Sequence, residues 1–330
     1  MSMVNEGRLS LRNNNMNRDV IQKTLDLLYE NPEWEDRYAG YAKFIPLKIP
    51  KAFKKPQGLS VYSSVSDYKQ NAYSLRFDGQ TVAMIYNQID SKKVLLEIKE
   101  EANKKYFGLV LSKEKEKIDW NVDPKAKLFR RFFRDKAKED DVKIKSQEHR
   151  VENRLLKEFA NKTRAENKAF TNIQPITLNG CFFQMPTPIK ASTHAPGYSQ
   201  KNGGGIDIMA RTGGKICVME VKDENKASES QVAAMEQALT YATFIARLLR
   251  SKSGQIWWNF FMGRDTDIRP VDRDIEIEVV TIMPAGNTEE YVGNIELPEL
   301  STIFHCHTLY YDDEQFKNGK FEFSGTFCNR

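Results

Sequence analysis

"GGGIDIMARTGGKICVMEVKDENK", residues 203–226, decides how this chain is read. Ile216 to Met219 form an apolar run that reads as a strand. Side chains alternate along a strand, so Ile216, Val218, Glu220 and Lys222 share one face and Cys217, Met219 and Val221 the other. Both faces are apolar through Met219, the pattern of a central strand covered on both sides. Yet the strand ends in Glu220 and Lys222, and burying those charges is costly unless each finds a partner. Mutual pairing would account for the two of them alone. It leaves Asp207, carried by the preceding strand "GIDIMAR" and returned by the Gly213-Gly214 turn to the same end of the hairpin.

Two carboxylates about 4 Å apart repel by roughly 4 kcal/mol at an effective dielectric near 20. A divalent cation reverses that sign, and hard oxygen donors suit Mg²⁺, with Mn²⁺ able to substitute. Magnesium sites use only one or two carboxylates and keep positions for water and phosphate. A neighbouring lysine can then orient the attacking water and offset phosphate charge. Such parts perform metal-assisted phosphodiester hydrolysis.

The acid-x-Lys tripeptide carries no weight by itself: "DYK", "DSK", "EIK", "DPK", "DVK" and "ENK" all occur in the chain. The closest competitor is Glu97 and Lys99 in "LLEIKEE", also on a strand pattern. Asp90 is too near to be its hairpin partner and Asp78 is a whole strand away, so this pair reads as solvent-face charge.

A helix follows the hairpin at about 229–250, with a capping-box pattern in Ser228 and Gln231 and a buried stripe of Val232, Met235, Leu239, Ala242 and Leu249. It carries Gln237 and Tyr241, one turn apart on a neighbouring strip. "GGID", "MEVK" and this Q-x-x-x-Y pair together resemble the PD-(D/E)XK nuclease superfamily in its RecB-like branch. The resemblance covers roughly residues 146–285. It implies a restriction-endonuclease-like core, Asp207 and Glu220 as metal ligands with the Val221 carbonyl as a third, and Lys222 as the catalytic lysine. Gln237 and Tyr241 would steady that lysine or the nucleic-acid backbone. It also implies a glutamate from the first core helix, for which Glu152 is preferred over Glu148 and Glu158, with His149 as the histidine alternative. The pattern departs from the family where Ile206 replaces a proline before the first acid, and Cys306 and Cys328 make no iron–sulfur cluster. In "HCH", His305–His307, alternation turns Cys306 away from both histidines, which favours a strand with polar edge residues over a metal site.

The remaining sequence sets the frame. At 330 residues the chain can bury a full core, and its length points to two domains. A net charge of +5 is too mild to establish a nucleic-acid partner. No apolar stretch approaches a membrane span and the N-terminus lacks the apolar core of a signal peptide, so a cytoplasmic protein with reduced cysteines is expected. Residues 1–19 read as a loosely ordered lead-in and 17–31 as the first helix. Residues 1–124 read as a small α+β domain on a mainly antiparallel sheet, with strands at "AYSLRF", "TVAMIYN", "KVLLEIKE" and "YFGLVLSK", serving recognition, regulation or assembly into oligomers. Residues 125–145 are a basic segment with Phe129, Phe132 and Phe133 interleaved. It is weighed as an amphipathic connector ahead of a phosphate-tracking arm. Residues 146–330 read as an α/β domain, a mixed sheet flanked by helices, with strands at "GCFFQM", "QIWWNFFMG", "IEIEVVTIMP" and "STIFHCHTLYY".

The function expected is an Mg²⁺-dependent nuclease acting on DNA, exonuclease or endonuclease, in a layout compatible with defence against foreign DNA or with repair. The alternatives are a catalytically inactive module that binds nucleic acid or a protein, and hydrolysis of RNA or something smaller.

Overall fold

The computed structural model describes residues 3–47, 51–88, 91–111, 115–139, 146–161, 172–191, 196–201, 203–223, 230–264, 269–285, 293–312, 323–325 and 327, with backbone alone at 3–16 and 69. The chain is mixed α/β with two mixed sheets. Two compact units interleave along it. Lys43–Glu158 and Thr177–Gln184 make one; Met1–Ala42, Phe159–Ile176 and Met185–Arg330 make the other. These bounds differ from the divisions that composition suggested at 124 and 146.

In the first of these units a seven-stranded sheet runs in the order Lys117–Asp119, Lys93–Ile98, Gln80–Gln88, Ala72–Phe77, Ser60–Ser63, Cys181–Phe183, Thr177–Leu178. Every neighbouring pair is antiparallel except Ser60–Ser63 with Cys181–Phe183. The expected strand at "YFGLVLSK" does not form over its described residues: Tyr106 and Phe107 end the helix Glu100–Phe107, and 108–111 are irregular. Glu100 and Glu101 in its first turn and Lys104 and Lys105 in its last complement the helix dipole, and Gly108 closes it at φ 70°. The basic segment is helical over Pro124–Lys136, capped by the Asp123 side chain, which accepts from the Lys125 N–H at 2.7 Å. Phe129 and Phe133 are fully buried, and Phe133 packs 5.2 Å from Phe77 and 5.5 Å from Phe107. The phenylalanines thus anchor an amphipathic helix to its own unit's core.

The other unit contains the quoted hairpin. Its sheet runs Gly293–Leu297, Thr302–Tyr311, Ile275–Pro284, Lys215–Val221, Ile208–Thr212, Gln174–Pro175. The three central strands are parallel and the outer pairings antiparallel. Parallel neighbours need a crossover, supplied between Lys215–Val221 and Ile275–Pro284 by the helices Gln231–Leu249 and Gly254–Met262. The second helix corrects the strand expected at "QIWWNFFMG". Trp257, Trp258, Phe261 and Met262 are its buried positions, a helical spacing that aromatic content had disguised, and Gly263 at φ 67° ends it. Ser230 caps the first helix by accepting from the Ala233 N–H at 3.2 Å; Ser228, the expected cap, lies outside the described residues.

Two further corrections concern chain ends and breaks. The N-terminal segment is helical from Met3 to Glu30 rather than a loose lead-in, and a second helix, Glu33–Ala42, was not foreseen. Both belong to the hairpin's unit, where the first packs along Gln231–Leu249. The run "GCFFQM" divides between the sheets. Cys181–Phe183 joins the sheet of the first unit, while Met185–Thr187 pairs with Gly204–Ile206 in a separate two-stranded sheet just before Asp207. Among the described residues no helix is long and apolar enough to cross a membrane.

Candidate active site at the mouth of the hairpin

Gly213 and Gly214, at φ 53° and 85°, make a two-residue turn of the kind that matches strand twist, closing directly on the pair Thr212 and Lys215. That turn sets the register through to Ile208 opposite Met219. Asp207 is the residue just before this paired stretch. Asp207 occupies the break where the chain leaves its pairing with Met185–Thr187 and enters the large sheet. Its Oδ2 accepts the Val221 N–H at 2.9 Å, which ties the acid to the far strand at the point where Glu220 and Lys222 emerge.

Lys222 continues the parallel ladder one residue past the strand, its N–H donating to the Ile282 carbonyl at 2.9 Å. Alternation is therefore kept and Lys222 falls on the Glu220 face. Both residues are 2% exposed. The Lys222 Nζ donates to Glu220 Oε1 at 2.9 Å and to Gln237 Oε1 at 2.6 Å. An ammonium so deeply buried needs such acceptors, and breaking a buried pair costs about 3–5 kcal/mol.

The helix Gln231–Leu249 reaches both arms of the hairpin. Gln237 engages Lys222 on the outgoing arm. One turn on, the buried Tyr241 meets the incoming arm: a Cβ on Gly204 would lie 2.9 Å from its hydroxyl. The Q-x-x-x-Y spacing thus sets Gln237 on Lys222 and the Tyr241 hydroxyl beside Gly204. Glycine at 204 is what makes room for the tyrosine.

Sequence reasoning missed the supports. The Tyr311 hydroxyl donates to the Lys222 carbonyl at 2.9 Å and the Tyr310 hydroxyl to Gln231 Oε1 at 2.9 Å, fastening the strand end and the helix start. Asp223, 7% exposed, adds a buried acid next to Lys222. Only Asp223 left a signal, as a third acid in "EVKD"; the tyrosines end a strand that carries no motif.

The remaining candidates have partners of their own. Glu152 belongs to the first unit described, is 1% exposed, and pairs with Arg76 at 3.5 Å and His149 at 3.6 Å. Arg76 in turn covers the Tyr62 ring at 4.0 Å. Burial, reinforced by the Glu152 charge, drives the Tyr62 phenol far above its ordinary pKa. Glu148 and Glu158, by contrast, are only partly buried. His305 bonds Asn294 and Glu276, His307 pairs with Glu278 at 3.1 Å, and Cys306 is fully buried between them on the opposite face. Burial pushes the Cys306 thiol up to about 12. Cys181, Cys217 and Cys306 are free thiols, and Cys328 lies outside the described residues.

As to a metal, no group of three or more His, Cys, Asp or Glu side chains is assembled around one point among the described residues. The hairpin mouth offers the two carboxylates of Asp207 and Glu220. That donor set does not suit the four-ligand cage of structural zinc, but it fits Mg²⁺, which takes one or two carboxylates and retains its waters. Comparison with protein-family models, with curated proteins and with solved structures finds no match to this chain.

Proposed function

We propose that the hairpin unit is a restriction-endonuclease-like core and that the protein is a metal-dependent nuclease hydrolysing DNA phosphodiester bonds. The observation that carries this reading is the buried Lys222, held between Glu220 and Gln237 beside the strand that presents Asp207. A purely structural ion pair accounts for Glu220 and Lys222 but gives no role to an acid bound across the same hairpin register.

Asp207 and Glu220 would hold Mg²⁺ or Mn²⁺, together with the Val221 carbonyl. When bound, the ion supplies Lewis-acid polarisation of the phosphodiester and a more acidic water. The chain's own contribution is placement. The Val221 N–H fixes the Asp207 carboxylate. Gln237 holds the Lys222 ammonium, which orients the attacking water and offsets charge developing on the phosphate. Tyr311 keeps the Lys222 backbone in position. Cytoplasmic location, a role in defence or repair, and recognition or assembly through the other unit belong to the same proposal.

The test is a cleavage assay with linear, circular, single-stranded and duplex DNA, and with RNA, across Mg²⁺, Mn²⁺ and Ca²⁺. Lys222→Gln is the informative variant, because Ala would strand Glu220 without a donor. We expect Mg²⁺-dependent cleavage of DNA by the wild type and at least a ~100-fold loss in the variant, the scale set by removing a group that stabilises transition-state charge. An unchanged rate in the variant would sink the assigned mechanism, and cleavage of RNA alone would correct the substrate.

A further inference from the structure

At the opposite end of the same hairpin, roughly 17 Å along the strand from Glu220 at ~3.3 Å per residue, lies a pocket of ≈ 170 Å³. Its rim is the Gly213-Gly214 turn, bare backbone where added Cβ atoms would meet nothing. Trp258, 4% exposed, forms part of the wall, and the Arg273 guanidinium lies 5.5 Å from its ring centre. Lys215, Arg264 and Glu276 complete the charged lining.

Among the described lining residues basic groups outnumber acids. Glu276 is held by the Lys215 Nζ at 2.6 Å and His305 Nε2 at 2.8 Å, and Lys215 also reaches Glu278 at 3.5 Å. Among the described lining residues the one acid is thus already matched within the sheet. Arg264 and Arg273 bring two guanidinium groups to the same lining, where the Arg273 Nε also donates to the Asp274 carbonyl at 3.3 Å. Behind them Arg211 adds a third positive charge, its fork donating to Gln174 and the Phe261 carbonyl. Burial chiefly, then repulsion from Arg264, lowers the Arg211 pKa, as expected where like charges crowd. Guanidinium pairs favour planar, multiply charged oxyanions and bind phosphate in two-pronged fashion.

We infer that this pocket binds a phosphoryl group, carried by a nucleotide or by a polynucleotide strand, through Arg264 and Arg273. Phosphate oxygens take the two guanidinium forks, and the bare glycine turn leaves room for the rest of the ligand. The site is separate from the hairpin mouth and does not depend on the nuclease reading.

Isothermal titration with inorganic phosphate, in EDTA at fixed ionic strength, tests it without engaging any metal site. The wild-type protein should show one saturable site. Arg264→Gln/Arg273→Gln should bind at least tenfold more weakly with an unchanged melting temperature, and Asp207→Asn should bind as the wild type does. Parallel titrations with a 5′-mononucleotide and a short oligonucleotide identify the source. Tighter binding of either than of phosphate, lost in the double-arginine variant, supports the pocket and names its ligand. No saturable phosphate binding, or equal binding by the double-arginine variant, overturns the inference.

Discussion

Two Glu-x-Lys pairs in this chain have nearly the same local geometry, and their surroundings separate them. Lys99 Nζ lies 2.8 Å from Glu97 Oε1, and Lys222 Nζ 2.9 Å from Glu220 Oε1. The side chain of Lys99 is 41% exposed, that of Lys222 3%. Glu97 faces Met84 and Lys117 on its neighbouring strands, with the Tyr86 hydroxyl donating to it at 3.0 Å, whereas beside Glu220 the Val221 N–H donates to Asp207 Oδ2 at 2.9 Å. Glu97 itself is buried, its side chain 11% exposed, so only the lysine end of that pair faces solvent as the sequence suggested. The Lys99 hydrogen bond, aided by Tyr86 and the charges of Lys99 and Lys117, still lowers the Glu97 pKa below its ordinary 4.5. A carboxylate whose folded pKa is depressed stabilises the fold above its unfolded value and loses that contribution as pH falls through the folded one. Urea midpoints of wild type and Glu97→Gln should therefore differ above about pH 5 and converge as the pH falls below the depressed Glu97 pKa. A gap that widens on acidification contradicts this account. The hairpin register was legible in sequence through alternation and the glycine turn, whereas the burial of Glu97 was not, because it depends on packing around Tyr86.

Elements were legible where one periodicity ruled and illegible where two competed. "AYSLRF" and "IEIEVVTIMP" are the strands Ala72–Phe77 and Ile275–Pro284, since β-branched and aromatic residues there sit in alternating or fully buried runs. "QIWWNFFMG" is equally rich in β-favouring residues but is a helix, because tertiary burial of Trp257, Trp258 and Phe261 at helical spacing overrides propensity. The helix Glu33–Ala42 went unseen because its ten residues hold only a short apolar stripe. That stripe matters to the site. Trp34 and Tyr38 are fully buried and pack edge-on to Phe244 of the helix carrying Gln237, at 5.7 and 5.0 Å. Trp34→Ala should accordingly cost about 3–5 kcal/mol in denaturant unfolding. A loss below about 1 kcal/mol, the level of an exposed contact, would mean this helix does not support the hairpin's unit.

At the scale of the molecule, boundaries were the least legible feature. Composition changes at residues 125–145 suggested a connector, but Phe129 and Phe133 are core residues of a unit that continues to Glu158 and takes in Thr177–Gln184. A chain that crosses between units several times leaves no linker composition to read, and the helices before Ala42 return to the hairpin's unit through contacts distant in sequence. What survives this interleaving is the local geometry of the hairpin, on which the central claim rests: Asp207 and Glu220 serve one ion. Calorimetric titration of Mn²⁺ into wild type, Asp207→Asn, Glu220→Gln and the double variant tests it directly. We predict one site in the wild type, at least tenfold weaker binding in each single variant, and a double variant little worse than either, the non-additivity of groups acting on one ligand. Absence of Mn²⁺ binding by the wild type, or losses that simply add, would contradict it.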